Sequence, residues 1–244
     1  MISGEKTKLI RSLRHKKHRG KNGLFVVEGS KMVRELLASS FTVEAIYSTG
    51  SVELEGAVCE VSRISHREMS KISGFFTPSS MLAVANIPQG TAGELDLTGD
   101  LQLALDSISD PGNMGSIIRL ADWFGIRQLF CSETTVDAFN PKVVQSSMGS
   151  LFRVAVHYCD LSVLLEKAGR DCEIYAATME GTSLYATTFS APALILLGSE
   201  SHGIATGLQK QAQHRITIPR GGQAESLNVA LAASAIVSEF RRQR

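Results

Sequence analysis

Three short, largely apolar runs, at residues 101–105, 194–197 and 215–218, constrain this fold most, because each passes directly into a loop of small and polar residues. Runs of four or five residues are too short for helices, and with turn formers at their ends they read as strands of a buried sheet. Further strands are expected at 128–131, 151–157 and 173–177, and helices at 116–124, 142–148, 162–168 and 229–240. Gly125 is a natural residue to end the first of these helices. Strand and helix alternate, so the chain from 95 to 244 is expected to form an α/β domain with a mostly parallel sheet covered on both faces. In open parallel sheets ligands bind beyond the carboxyl ends of the strands. The loops at 106–115, 198–203 and 219–228 should therefore open on one side, as the walls of a small-molecule site. Their small residues let backbone approach a ligand that side chains would hold off.

Residues 1–94 read as a separate, smaller α/β domain. Strands are expected at 24–27, 43–47, 58–61 and 81–86, and helices at 5–19, 30–38 and 65–72. The last carries Ser65 with Glu68 three residues on, a capping-box pattern. Residues 87–99 are rich in turn formers and are read as the linker.

Charge is unevenly spread. Residues 1–22 hold eight basic side chains and one acid; of the chain's 25 basic and 24 acidic residues this leaves 17 and 23, a net of −6 for the remainder. Such an arm is either a solvated tail or a contact for nucleic-acid phosphates, whose counterions clustered Lys and Arg displace. Arg11, Arg14, Lys16, Lys17, Arg19 and Lys21 are its candidate nucleic-acid contacts.

Several classes are disfavoured. No apolar run approaches the roughly 20 residues that span a bilayer, and the basic N-terminus lacks the apolar segment of a secretory signal. The four cysteines contain no Cys-x-x-Cys pair, and the histidines lack ligand spacing, so neither a disulfide framework nor a metal site is expected. A reducing cytoplasm suits such a chain. Phosphate-binding Gly-x-x-x-x-Gly-Lys-Ser/Thr, dinucleotide-binding Gly-x-Gly-x-x-Gly and the Gly-x-Ser-x-Gly elbow of hydrolases are all missing.

Asp110-Pro111-Gly112-Asn113-Met114-Gly115 with Arg119, Leu197-Gly198-Ser199-Glu200 with Gly203, and Ile218-Pro219 followed by Ser226-Leu227-Asn228 occur in that order. Together they resemble the three signature motifs of the SpoU (TrmH) family, S-adenosylmethionine-dependent RNA ribose 2′-O-methyltransferases of the SPOUT superfamily. The resemblance spans roughly residues 101–244. Phe25-Val26-Val27-Glu28-Gly29 and Leu82-Ala83-Val84 resemble the ribosomal-protein-like substrate-binding domain often attached to that core.

The resemblance implies a SPOUT-like fold with a C-terminal trefoil knot, a homodimer, S-adenosyl-L-methionine as cofactor and structured RNA as substrate. rRNA is favoured, tRNA is the alternative, and an inactive ribosome-assembly factor is the rival reading. It also implies that Gly198, Ile218 and Leu227, joined by Thr178, hold the cofactor. Arg119 would engage the ribose 2′-hydroxyl or its phosphate; arginine stays protonated and is a poor base. Other roles stay open from the residues alone. Asn113 either bonds Arg119 or the ribose, or makes a Pro-Gly-Asn turn. Glu200 either holds Arg119 or caps a helix starting near Ile204. Ser226 and Asn228 cap the last helix, line the site, or both. Arg153, with Asn140-Pro141-Lys142 and Ser146 to Gly149, is expected near the RNA entrance.

Overall fold

The computed structural model describes residues 2–51, 59–88, 97 and 99–244, and the chain divides into two compact units. Residues 1–91 with 137–153 form the first, and residues 92–136 with 154–244 the second. Most of the expected linker, and the boundary at 94/95, lie outside the described residues. Residues 137–153, assigned by sequence to the second domain, group with the first unit.

The first unit opens with two helices, α1 (Gly4–Ser12) and α2 (Lys16–Asn22), where the pattern suggests one. The Ser3 side chain caps α1 by accepting from the Lys6 N–H. The chain breaks at His15, whose backbone is extended, and α2 then runs through Gly20 to Gly23 in the left-handed region, φ 65°. The basic arm is therefore no loose tail. Ile10 and Leu13 are buried in one cluster with Ile64, Met69, Ile72 and Leu82.

A four-stranded sheet follows, built from β1 (Leu24–Glu28), β2 (Val43–Ser48), β3 (Glu60–Arg63) and β4 (Met81–Asn86) in the order β1-β4-β2-β3. β4 is antiparallel to both β1 and β2, whereas β3 runs parallel to β2. The expected start of β3 at Val58 lies outside the described residues. Helices α3 (Ser30–Leu37) and α4 (His66–Ile72) complete the first stretch, and α4 carries the reciprocal Ser65–Glu68 capping box.

Arg19 corrects the sequence reading. Expected as an RNA contact, it is 2% exposed. Its guanidinium donates to the carbonyls of Leu13 (2.8 Å) and Arg14 (2.9 Å) and to the Asp137 carboxylate (2.9 Å from Nε). It thus satisfies the carbonyls freed where α1 ends and ties them to the segment at 137. Its sequence context is that of its basic neighbours, and only burial separates it from them.

The second unit is a six-stranded sheet, parallel throughout, in the order β10-β8-β9-β5-β6-β7. Its strands are β5 (Leu101–Asp106), β6 (Gln128–Cys131), β7 (Ala155–Tyr158), β8 (Glu173–Ser183), β9 (Ala193–Gly198) and β10 (His214–Thr217). Central β5 and β9 are almost continuously buried, which explains their mostly apolar character, Gln102 and Asp106 of β5 being buried polar exceptions. The strand expected at 151–157 is shorter, because Gly149 at φ 95° turns the chain into a 3-10 helix, Ser150–Phe152.

Helix α5 (Pro111–Trp123) begins five residues before the expected 116. Asp110 is its N-cap, accepting from the Asn113 N–H at 2.8 Å, and Pro111 occupies the first turn, where its missing N–H costs nothing. Gly125 follows at φ 72°, as expected for the residue past the end. Between β6 and β7 lies α6 (Pro141–Ser146), which contacts β1 in the first unit. The remaining helices are α7 (Leu161–Ala168), α8 (Thr206–Gln211) and α9 (Val229–Arg242). On α9, Val229, Ala233, Ile236, Val237 and Phe240 repeat at helical spacing and are buried. α9 packs on α5, and Arg241 donates to the Phe124 carbonyl (3.0 Å) at the end of α5.

Candidate active site

Two interruptions of regular structure shape the site, and both depend on glycine. The first is in β8. Arg215 of β10 pairs with Ala176, but the next residue, Ile216, pairs with Thr182. Residues 177–181 therefore leave the ladder, held by Thr178 Oγ1 donating to the Glu180 carbonyl (2.6 Å) and Thr217 Oγ1 donating to the Met179 carbonyl (3.1 Å). Gly181 permits the crossing, since a Cβ there would lie 2.5 Å from the Arg215 carbonyl oxygen.

The second follows β9. Ser199 and Gly203 bridge, with the Gly203 N–H donating to the Ser199 carbonyl at 2.8 Å. The loop folds back so tightly that a Cβ on Gly198 would sit 2.1 Å from the Gly203 carbonyl carbon and 2.3 Å from Ile204 N. Gly198 thus meets its own chain, before any ligand is considered. Asp106, at the end of neighbouring β5, accepts from the Ala205 N–H (2.8 Å) and holds the far side of the same loop.

These features enclose a cavity of about 540 Å³, a size usual for small-molecule sites. All four expected cofactor residues, Thr178, Gly198, Ile218 and Leu227, line it, together with Glu200 and Ser226. Glu180, Glu225, Arg215 and Arg220 add charge to its wall. The expectation stopped β8 at 177 and so missed Met179 and Glu180, although a glycine within a strand pattern, Gly181, signals such a bulge.

At the cavity's edge three loops meet in one hydrogen-bonded group. Asn113 Nδ2 donates to Glu200 Oε1, and Asn228 Nδ2 donates to Asn113 Oδ1 at 2.8 Å. Asn228 Oδ1 also caps α9, accepting from Ala230 N (3.0 Å) and Leu231 N (3.3 Å). Glu200 Oε1 lies 3.5 Å from Val229 N, at the first turn of α9, where helix polarity favours a carboxylate. Two of the expected contacts differ from the sequence reading: Asn113, in the first turn of α5, bonds Glu200 and Asn228 rather than Arg119, and Glu200 faces the start of α9, neither holding Arg119 nor capping α8. Asn228 both caps and joins the network; Ser226 lines the cavity without capping.

Arg119 stands apart from this group. It lies on an exposed face of α5, and among the described residues no hydrogen bond or ion pair involves it. Of the candidate RNA contacts, Arg11, Lys16, Lys17 and Lys21 are exposed. Arg14 is exposed too but donates to the Ser73 carbonyl, and Arg153 pairs with Glu35 at 2.7 Å within the first unit. Among the described residues no cluster of three or more His, Cys, Asp or Glu side chains could hold a metal ion.

Residues 100–238 match the SpoU rRNA Methylase family, and residues 5–83 match an MRM3-like substrate binding domain. The chain is 30% identical to the 23S rRNA (guanosine(2553)-2′-O)-methyltransferase RlmP of Bacillus subtilis, over 97% of this chain and 96% of that one. It is 28% identical to a 23S rRNA (uridine(2479)-2′-O)-methyltransferase of Streptomyces viridochromogenes, over 95% and 87% of the two chains. Among solved structures, a TrmH-family protein from Porphyromonas gingivalis superposes over the whole of both chains with a TM-score of 0.88 at 35% identity. An AdoMet-bound rRNA methyltransferase from Sinorhizobium meliloti superposes over 99% of this chain and 96% of that one, with a TM-score of 0.86 at 26% identity.

Proposed function

The chain belongs to the SpoU rRNA methylase family, and on that premise we propose that it transfers a methyl group from S-adenosylmethionine to a ribose 2′-hydroxyl of rRNA. The observation that carries this reading is the convergence of the three loops. Asn113 at the start of α5, Glu200 after β9 and Asn228 at the start of α9 bond one another at the edge of a cavity lined by Thr178, Gly198, Ile218 and Leu227.

The cavity suits the cofactor. Ile218 and Leu227 offer apolar surface for an adenine ring, and the wall carries both signs of charge, Glu180, Glu200 and Glu225 beside Arg215 and Arg220, for a cofactor that itself carries cationic sulfonium and ammonium groups and a carboxylate. S-adenosylmethionine supplies an electrophilic methyl group on a positively charged sulfur. The chain's own task is alignment, which lowers the barrier by holding the reacting atoms in line. The Asn113–Glu200–Asn228 group fixes the three loops relative to one another. Arg119, free of protein partners among the described residues, is available to an RNA phosphate or to charge developing on the attacking oxygen. An arginine side chain is a poor base, so proton removal falls to phosphate or water.

The first unit, with exposed Arg11, Lys16, Lys17 and Lys21, would select the RNA; the ribose 2′-hydroxyl would exclude DNA. The two methyltransferase relatives named above act on a guanosine and a uridine, so family membership favours no particular base. A homodimer, a C-terminal trefoil knot and a cytoplasmic location belong to the same proposal.

The test uses purified protein, labelled S-adenosylmethionine, and separate pools of unmodified rRNA and tRNA, followed by mapping of sites protected from alkaline cleavage. Methyl transfer to one rRNA ribose is the expected result. Transfer to tRNA alone would move the substrate assignment. RNA binding without any transfer would establish the assembly-factor alternative and overturn the enzymatic reading.

A further inference from the structure

We infer that Phe76 is a stacking platform for an unpaired nucleobase, an inference that rests on the RNA-directed function proposed above. Phe76 is 106% exposed, in the loop at residues 73–80 between α4 and β4. Single exposed apolar residues are common on proteins and by themselves mean nothing. What distinguishes this one is the way its loop is built.

The Glu28 carboxylate, 7% exposed, reaches under the loop from the end of β1. It accepts from Gly74 N (2.9 Å), from Ser79 N (3.4 Å) and from the Ser73 hydroxyl, while Phe75 N donates to Ser73 Oγ (3.0 Å). Arg14 donates to the Ser73 carbonyl from the other side. A buried acid thus holds both ends of the loop and an arginine braces its start, leaving Phe76 as its outward side chain. Ordering of this kind removes the entropy that a mobile loop would lose on binding.

The surroundings select the ligand. Arg14 Nε lies 4.0 Å from where a Cβ on Gly74 would stand, so a cation sits two residues from the ring. The adjoining helices α1 and α2 expose Arg11, Lys16 and Lys17. Around Phe76 the exposed loop residues are small or polar, Gly74, Thr77 and Ser80, while Phe75 and Pro78 are half-buried. A protein groove or lipid surface would find one ring and little else to bury. An unstacked nucleotide offers a flat π face for the ring and a phosphate for the guanidinium, the pairing by which single-stranded RNA is held.

The experiment uses the full chain, with Phe76→Ala and Phe76→Trp. Binding is measured to a short single-stranded RNA and to the same strand in a duplex, and methyl transfer is measured on unmodified rRNA. Phe76→Ala is expected to weaken the single strand about tenfold, the factor that about 1.4 kcal/mol represents, within the range of base–aromatic stacking. Duplex binding should change far less, the salt dependence should keep its slope, and the loss should appear in KM for rRNA rather than in kcat. Phe76→Trp should restore binding. Single-strand affinity and KM unchanged in Phe76→Ala, with wild type methylating normally, would overturn the stacking role alone. Failure of wild type to bind or methylate any RNA would instead overturn the function on which it rests.

Discussion

Replacing Gly198 by alanine should damage the second unit before any cofactor is added. The added Cβ would stand 2.1 Å from the Gly203 carbonyl carbon, 2.3 Å from its oxygen and 2.3 Å from Ile204 N, all backbone atoms. Contact distances under 3.0 Å are not tolerated there, so the 198–204 loop must open by about an ångström. That movement threatens the Ser199–Gly203 bridge, worth about 1 kcal/mol, and pulls on Ile204, a buried member of a core cluster of this unit. Overpacking of this kind costs about 1–3 kcal/mol, so the total is roughly 2–4 kcal/mol. For a chain of this size that corresponds to a fall in Tm of roughly 4–16 °C. Calorimetric melting of wild type and variant without ligand, beside titration with S-adenosylmethionine, is the assay. A variant that melts with wild type yet no longer binds cofactor would refute the steric reasoning and return Gly198 to a role in ligand approach. A variant that keeps both would refute the closeness of the loop itself.

Arg119→Ala should leave Tm and S-adenosylmethionine affinity unchanged, since the side chain is exposed and without a protein partner among the described residues. Methyl transfer should fall roughly 100-fold or more, and a full rate in single-turnover assays would remove Arg119 from the chemistry. Arg19→Ala should destabilise the first unit by about 3–5 kcal/mol, because it strands the Asp137 carboxylate and two backbone carbonyls; a denaturation midpoint equal to that of wild type would contradict this. Lys17→Ala, by contrast, should spare stability and reduce the salt slope of RNA binding by about one. Burial on β7 lowers the pKa of His157, which stacks on Phe130 at 5.7 Å. Its folded pKa lies below the unfolded value of about 6.5, so its contribution to stability is complete above that pH and is lost as pH falls through the depressed folded value. His157→Phe should therefore flatten the decline in Tm as pH falls below about 6.5, and an unaltered decline would exclude this histidine as its source.

The second unit was largely legible in the sequence because a buried parallel strand and the loop after it leave local marks. The loops after the runs ending at Leu105, Leu197 and Ile218 could be placed from the strand pattern, whereas Asn113, Glu200 and Asn228 are nominated within them through the resemblance to the SpoU motifs. Their mutual bonds could not be read that way. Glu200 is 87 residues from Asn113 and 28 from Asn228, and a capping role for Asn228 satisfies local rules whether or not Asn113 is near. The strand at 173–177 shows the complementary failure. Its pattern ends where the chain leaves the ladder, yet pairing with β10 resumes at Thr182, a long-range event marked in sequence only by Gly181.

Arg19 and Gly198 show the deeper reason that motif and composition are incomplete guides. Lys17 and Arg19 belong to the same basic stretch, but one is exposed and the other 2% exposed, because only Arg19 meets the free carbonyls of Leu13 and Arg14 and the acid at 137. Deleting residues 1–22 would therefore confound RNA affinity with folding, since Ile10, Leu13 and Arg19 would leave with the surface lysines. Gly198 carries the same ambiguity at the cavity, where one missing side chain serves both a tight backbone crossing and an open wall. In both places the residue that a functional reading singles out is first required by the fold. Function must then be tested at neighbours the fold does not need: Lys17 rather than the arm, and Arg119 rather than the glycine.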